Sequence, residues 1–384
     1  MKSRIFIFLM VAPLLGFCFI GATLSAQEME SQFGHAKKPA NDWPMFRHDI
    51  IHSGYSTSKA PDTNNILWSY DTYNHIDSSP AIVDGKVYFG TDGGILYCLD
   101  AIMGGYIWQF LTTGISGAPA VVGGKVYIGS AEYKLYCLNA QTGQKIWEFI
   151  ADGTIPSSPA VDDNRVYIAA HDGKIYAIDT ETGNKLWEHQ TTNALFSTPA
   201  VDNNKLCIST YDNRILCLDA LTGTMIWEFN GGGGPSSPSI DGNRIYVGSW
   251  DHNLYCLDFD TGQLIWQFPA DDDIYSSPAI AYGKIYFGSY DGKVYCLNAK
   301  KGIKIWEYQT PNDIESDPAV ADGKVFIGTR YPDSTLYCLD ARTGKKIWSY
   351  SPGGGVDSSP SVAYSNIYVG SGYGIFYAFG TTKK

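Results

Sequence analysis

Charge is what this chain has least of. Charged residues fill only 17% of its 384 positions, and 28 Lys and Arg stand against 39 Asp and Glu, a formal net charge of −11. A surface of that sign repels phosphate backbones, which sets nucleic acid aside as a partner. Long apolar runs are as scarce: only Ile5 to Ile20 is extended enough to enter a bilayer as a helix. Also missing are an adjacent Cys-Cys pair, a Gly-x-Ser-x-Gly elbow, a phosphate-binding glycine loop and cysteines at zinc spacing. Hydrolase, nucleotide and zinc chemistry therefore have no motif to stand on. Apolar residues reach 44% and aromatics 14%, with 27 Tyr and 10 Trp. That is ample for a buried core and excludes a disordered chain.

The first residues read as an export signal. Lys2 and Arg4 precede the apolar run, and small residues follow to Ala26. Cleavage after Ala26, retention as an anchor and lipidation at Cys18 are the three alternatives. Residues 27–42, with His35, Lys37, Lys38 and Pro39, form a polar linker. The working domain, 43–384, is expected outside the cytoplasm, in the periplasm or at the cell surface. It meets a membrane only through that N-terminal segment.

The domain is one unit written eight times. Ser-Ser-Pro-Ala leads into Gly-Lys-Val-Tyr-Ile-Gly, then Leu-Tyr-Cys-Leu-Asp, then Thr-Gly-x-x-Ile-Trp. The closing tryptophans are Trp68, Trp108, Trp147, Trp187, Trp227, Trp266, Trp306 and Trp348, spaced 39 to 42 residues apart. Each unit holds four short strand signals; in the first they are Ser78–Val83, Lys86–Thr91, Ile95–Leu99 and Tyr106–Leu111. Asp84-Gly85 and Asp92-Gly93 supply hairpin turns. Four-stranded units at a fixed period near 40 predict an all-β propeller of eight blades.

The ends predict how it closes. The Trp68 strand, Ile66 to Tyr70, comes before any first strand, and the last unit stops after Phe376 to Phe379 with no Trp strand of its own. The first should complete the blade that the second begins, giving one closed ring, expected as a monomer, with no open sheet edges. The periodic tryptophans read as structural, each packing on a neighbouring blade.

Cysteine follows the same period. Cys98, Cys137, Cys217, Cys256, Cys296 and Cys338 share one repeat position, which Ala177 and Ala378 fill in the other units. A slot taken by Cys or Ala is small and buried, not a bridge. Cys207 departs from this, at a position that is usually Tyr.

The segment from Ala177 through Asp179, Thr182 and Gly183 to Trp187 resembles the A-x-D-x-x-T-G-x-x-x-W tryptophan-docking motif of quinoprotein dehydrogenases. Six other units carry it with Cys for Ala. Met103 and Lys301 replace its Thr, and Asn139 and Asn298 its Asp, in two units each. The chain from 43 to 379 thus resembles the PQQ-like β-propeller repeat family, and within it the BamB-like branch. The dehydrogenase branch implies pyrroloquinoline quinone and calcium, held on longer chains with inserted loops, often under a vicinal cysteine pair. This chain has neither feature. The resemblance therefore implies a non-enzymatic scaffold without cofactor, binding envelope or surface proteins. A carbohydrate- or ligand-binding module and a quinone enzyme are the alternatives.

Because the units are copies, positions where they diverge are free to carry a site. Divergence gathers on the rim formed by the four-to-one and two-to-three connections. Three residues before each first-strand Pro, the ring reads Asp77, Ser116, Pro156, Phe196, Pro235, Tyr275, Glu315 and Asp357. Closure brings Glu315, Asp357 and Asp77 onto consecutive blades, with Asp317 close by. They read either as solvated acids or as a seat for a cation or a basic peptide residue. The two-to-three turns add His171, Tyr211, Trp250 and Tyr290 beside Phe196 and Tyr275. Those rings suit a peptide or sugar, or serve simple packing between hairpins. His48-x-x-x-His52 has metal spacing but no third ligand. Gly231–Gly234 could cradle an anion, and Asp271–Asp273 could touch calcium; a plain loop and a solvated tip are the alternatives.

Overall fold

The computed structural model describes residues 41–381 apart from position 163. The export signal and most of the polar linker lie outside the described residues. Among those described there is no helix; eight antiparallel sheets follow one another around a ring. Blades one to seven are built from 81–111, 120–150, 160–190, 200–230, 239–269, 279–309 and 319–350. Blade eight takes three strands from 361–379 and its fourth, Ile66–Asp71, from the front of the chain. Trp68 pairs with Ala378 and Tyr70 with Phe376, antiparallel.

The first strand of each blade is shorter than the sequence predicts. In blade one pairing begins at Ala81, not Ser78. Pro80 has no N–H to give the ladder, and the serines before it turn to other partners described below. Second and third strands are buried almost throughout, while fourth strands alternate between exposed and covered residues.

The core sits between blades. One cluster joins Tyr88, Leu96, Cys98 and Trp108 of blade one to Val126, Ile128 and Leu138 of blade two, and others repeat this around the ring. Each tryptophan crosses that seam. The indole N–H of Trp108 donates to Ala140 O at 3.2 Å, and those of Trp147 and Trp187 to Thr180 O and Ala220 O, both at 3.0 Å. A glycine must lie over the ring. A Cβ at Gly143, whose φ is 71°, would stand 2.7 Å from the Trp108 indole. The Asp of the motif shapes that loop: Asp179 Oδ1 accepts from the N–H of Glu181 and Thr182 and from the Thr182 hydroxyl. Covering an indole of roughly 150–250 Å² contributes at most about 4–6 kcal/mol per seam. At the last seam Trp348 donates instead to Pro61 O at 3.4 Å, because the chain front replaces the missing loop.

Seven cysteines, Cys207 among them, are buried free thiols. Burial pushes Cys98, Cys137, Cys256 and Cys296 up to about 12, so these stay protonated and inert.

The sequence gives no hint of what the lead-in does. Residues 43–56 coil inside the ring near the one-to-two turns. There the first strands would otherwise leave N–H groups unpaired, and the lead-in carbonyls accept them. Val121 donates to Pro44 O, Val201 to Ile50 O, Ile240 to Ile51 O, Ile280 to Ser53 O and Val320 to Gly54 O, at 2.7–2.9 Å. Trp43 and Ile82 exchange both of their bonds at 2.7 Å, and Tyr55–Ser56 adds a parallel fifth strand to blade seven. Arg47 is buried in the channel, its Nη1 and Nη2 donating to Pro318 O at 2.7 Å and Pro278 O at 2.6 Å. Gly54 lets it pass, since a Cβ there would meet Arg47 Nη2 at 2.3 Å. The His48–His52 spacing builds no metal pair. His48 packs edge-on against Trp43 and His52 against Phe46, and His52 Nδ1–H donates to Pro238 O at 2.8 Å.

Candidate functional site on the variable rim

Above the plug the channel opens toward the divergent rim. Part of its wall is built by the residue before each first-strand Pro. The backbone N–H of Ala118 donates to Ser158 Oγ, Ser158 to Thr198, Thr198 to Ser237, Ser237 to Ser277, Ser277 to Asp317, Asp317 to Ser359 and Ser359 to Ser79, at 2.5–3.1 Å. This belt runs from blade to blade and breaks only at Ala118, which has no oxygen to offer Ser79. It explains why Ser-Ser-Pro recurs: the second serine bridges blades. The first binds within its own blade in blade three, where Ser157 Oγ donates to Ala169 O and accepts from the Ala169 N–H, both at 2.9 Å, whereas Ser78 Oγ in blade one donates across the seam to Gly117 O at 3.0 Å.

Phe46 floors the space above, a cavity of about 170 Å³ lined also by Asp77, Phe196, Tyr275, Glu315 and Asp357. Asp317 lines the same cavity as the other three acids but lies deeper. It is buried in the belt, with Arg47 in electrostatic reach below; burial raises its carboxyl and Arg47 opposes the rise.

The aromatic residues form a continuous ladder. Ring centroids lie 4.4 Å apart for His171–Phe196, 5.3 Å for Phe196–Tyr211, 4.4 Å for Tyr211–Trp250, 5.7 Å for Trp250–Tyr275 and 4.3 Å for Tyr275–Tyr290. The last pair is stacked, 4° from parallel. Phe196 and Tyr211 are 41% and 47% exposed, so the rings pack on one another and still face solvent. The glycine run Gly231–Gly234 serves this packing. A Cβ at Gly234, whose φ is 142°, would lie 3.3 Å from Trp250, and one at Gly233 would lie 2.2 Å from Asn213 Cα.

Glu315, Asp357 and Asp77 stand together where the ladder ends. Burial pushes Asp77 up to about 6, with Asp92, Asp357 and Glu315 adding to the rise and His75 opposing it. Burial also raises Glu315 and Asp357, against the pull of Arg330. Both partners of these acids, Arg330 and His75, escaped the sequence reading. Arg330 Nη1 lies 3.0 Å from Glu315 Oε2 and donates to the Tyr290 hydroxyl at 3.2 Å. His75 Nδ1 lies 2.9 Å from Asp77 Oδ1 and 3.4 Å from Asp92 Oδ2. Arg330 was within reach of the sequence: it is the next member of the series His171, Tyr211, Trp250 and Tyr290, one blade further round. At the tip Asp271–Asp273, Asp271 pairs with Lys293, and His252 Nε2 lies 3.4 Å from Asp273 Oδ1.

Eight four-stranded blades about a plugged channel, each docked on the next by an indole, define a β-propeller of the PQQ-like repeat class. Residues 57–231, 211–316 and 312–383 match the family described as outer membrane protein assembly factor BamB, and the chain belongs to that family. Among solved structures it is similar to BamB from Moraxella catarrhalis, with a TM-score of 0.73, 20% identity and coverage of 83% of this chain and 99% of that one. It is also similar to quinohemoprotein alcohol dehydrogenase from Comamonas testosteroni, at TM-score 0.77 and 16% identity, covering 92% and 83%. The computationally designed Ika8 protein superposes at TM-score 0.75 and 18% identity, covering 82% and 99%. At these identities the likeness is one of fold. No curated protein sequence matches the chain.

Proposed function

We propose that the chain is a non-enzymatic, exported scaffold whose variable rim captures segments of envelope proteins, in the manner its family's description implies. The observation that carries this is the ladder from His171 to Tyr290. It is aromatic on four consecutive blades, half-exposed, and confined to positions the fold leaves free. Rigid rings with one polar end bury much area at low ordering cost, which suits protein capture.

The quinone alternative meets the wrong residues. Pyrroloquinoline quinone is a tricarboxylate, and the mouth holds Asp77, Glu315 and Asp357 with Asp317 beneath them. Of the nearby arginines, Arg47 is committed to two carbonyls and Arg330 to Glu315. Phe46 limits the cavity to about 170 Å³, below the roughly 300 Å³ at which small-molecule sites begin. An absorbance titration with the quinone and calcium tests this directly, and saturable binding would restore the enzyme reading. A sugar-binding role finds less support, because the stacked Tyr275 and Tyr290 faces cover each other.

The test of the scaffold reading is a photo-cross-linking side chain at Tyr211, with a control at Glu181 on the opposite rim. Envelope proteins should be trapped from Tyr211 alone, and Trp250→Ala with Tyr290→Ala should abolish the product while the variant still melts cooperatively, at a temperature lowered by the lost ring contacts. Equal products from both rims would reject it.

A further inference from the structure

Blade four breaks a rule that the other seven blades keep. Elsewhere the Cys/Ala slot of the third strand faces an aromatic ring on the second, as Cys98 faces Tyr88 and Cys256 faces Tyr246. In blade four Cys217 faces Cys207 instead. The missing ring is made good from the next blade. Phe259 accepts from the Trp227 indole at the position where Ala299 accepts from Trp266, and it shares one buried cluster with both cysteines. Packing therefore asks only for a small residue at 207, and does not ask for sulfur.

The register fixes how the two thiols meet. Thr210 N–H donates to Arg214 O and Ala220 N–H to Asn204 O, both at 2.8 Å, one at each end of the hairpin. Between them the pairing runs without a bulge. Opposed residues alternate between hydrogen-bonded and non-hydrogen-bonded pairs, so Cys207 and Cys217 form a non-hydrogen-bonded pair, the closer kind. Their Cα atoms then stand about 4.5 Å apart, inside the roughly 4.4–6.8 Å that a disulfide spans. Both side chains also point to the same face of the sheet.

We propose that Cys207 and Cys217, free thiols in this structure, are joined by a disulfide in the exported chain, bracing the hairpin whose turn presents Tyr211 to the aromatic ladder. This rests on the proposed export, because disulfides persist where thiols are not kept reduced. One cysteine thiolate attacks a disulfide-bearing oxidant and expels half of it as a thiolate; the second cysteine then displaces the other half. Two S–H protons pass to solvent, one S–S bond forms, and two electrons reduce the oxidant to thiols. The step belongs to the hairpin before the ring closes. In the finished propeller both sulfurs are buried. Burial, with the facing Cys217 thiol, raises the Cys207 thiol and leaves little thiolate to exchange. The same burial then shields the bond from reductants.

The test refolds the reduced full chain in mixed reduced and oxidised glutathione, alkylates it in denaturant and digests it with trypsin, which cuts after Lys205 and Arg214. Peptides 206–214 and 215–244 should appear as one linked species that separates on reduction, with the other cysteines of the propeller alkylated. Cys217→Ala, the residue that Ala177 and Ala378 supply at the same slot, should lose that species and still fold. Parent refolded in dithiothreitol should melt about 4 °C below the linked form, with no such difference in the variant. Chain recovered from the periplasmic or surface fraction should carry the link before any redox buffer is added. Peptides alkylated separately after refolding, or an exported chain with both thiols free, overturns the proposal. Equal melting of the linked and reduced parent overturns the bracing. Chain found only in the cytoplasm removes the export reading, while the refolding arm still decides whether the pair can bond.

Discussion

The backbone N–H of Ser277 donates to Oδ1 of Asp317 at 2.5 Å, the one place where a carboxylate does what serine or threonine does elsewhere in the belt. The substitution has a reason from below. Arg47 is buried there with its guanidinium on two carbonyls, and a carboxylate in the belt compensates its charge. Removing one partner strands the other in the channel. Asp317→Ala is therefore expected to destabilise by about 3–5 kcal/mol, and Arg47→Met with Asp317→Ser by much less. Chemical denaturation of the two single variants and the double closes the cycle. Additive losses would mean that Arg47 and Asp317 do not act as a pair.

The break in the belt makes a prediction of the opposite sign. Ala118 is buried at the position where six other blades carry a hydroxyl. Ala118→Ser would give the Ser79 N–H the acceptor that its counterparts have. A gain of about 1 kcal/mol is expected, read as a higher denaturation midpoint at unchanged slope. A loss would show that the space beside Phe46 cannot take the oxygen.

Ring closure depends on the Trp68 strand. Its indole N–H donates to Ala101 O at 3.1 Å across the seam between blades eight and one, and Gly104 lies over its ring. Trp68→Ala is expected to cost about 3–5 kcal/mol. Deleting residues 60–72 should abolish cooperative melting, because blade eight then exposes Ile375–Phe379 as an edge. An unaltered melt after that deletion would contradict the closed ring.

These features were legible to different degrees, for physical reasons. Docking tryptophans, Cys/Ala slots and the closing strand announce themselves because eight copies obey one packing rule. The acids and the aromatic ladder were legible as departures from that rule. Arg330 was equally a departure, hidden by the longer turn of blade seven, which blurs the register of the comparison. The plug was not legible. Residues 43–56 have no copy to compare with, and Arg47 meets Asp317 only after the ring has closed. Its one signal is indirect: eight inner strands leave N–H groups that something must satisfy.

Asp77 provides a test at the mouth that needs no partner. Its carboxyl is raised to about 6 from an ordinary value of 3.8, so the charged form is disfavoured by folding. Stability from this group is fully present below pH 3.8 and is lost as the pH rises through about 6. Asp77→Asn should raise the melting temperature at pH 7.5 and leave it nearly unchanged at pH 4. A variant that melts lower at pH 7.5 would show that Asp77 is well paired rather than strained.

His52 works in the reverse sense. Burial lowers it from 6.5 to about 4, while its bond to Pro238 O and the nearby Asp49 oppose the fall. The folded ring therefore holds a neutral imidazole, its Nδ1 protonated to donate to that carbonyl. Stability from this residue is complete above pH 6.5 and declines as the pH falls toward 4. At about 1.4 kcal/mol per pH unit, the full loss is about 3 kcal/mol. His52→Gln keeps a donor for Pro238 O and does not titrate. Its stability should fall less steeply than the parent's between pH 6.5 and 4.5 in denaturation series, even if it is lower at pH 7. Parallel curves would place the acid sensitivity elsewhere and leave His52 as packing for Phe46 alone. A flatter curve would make the plug, and not the rim, the acid-labile part of the propeller, since the rim acids are stabilised over the same interval.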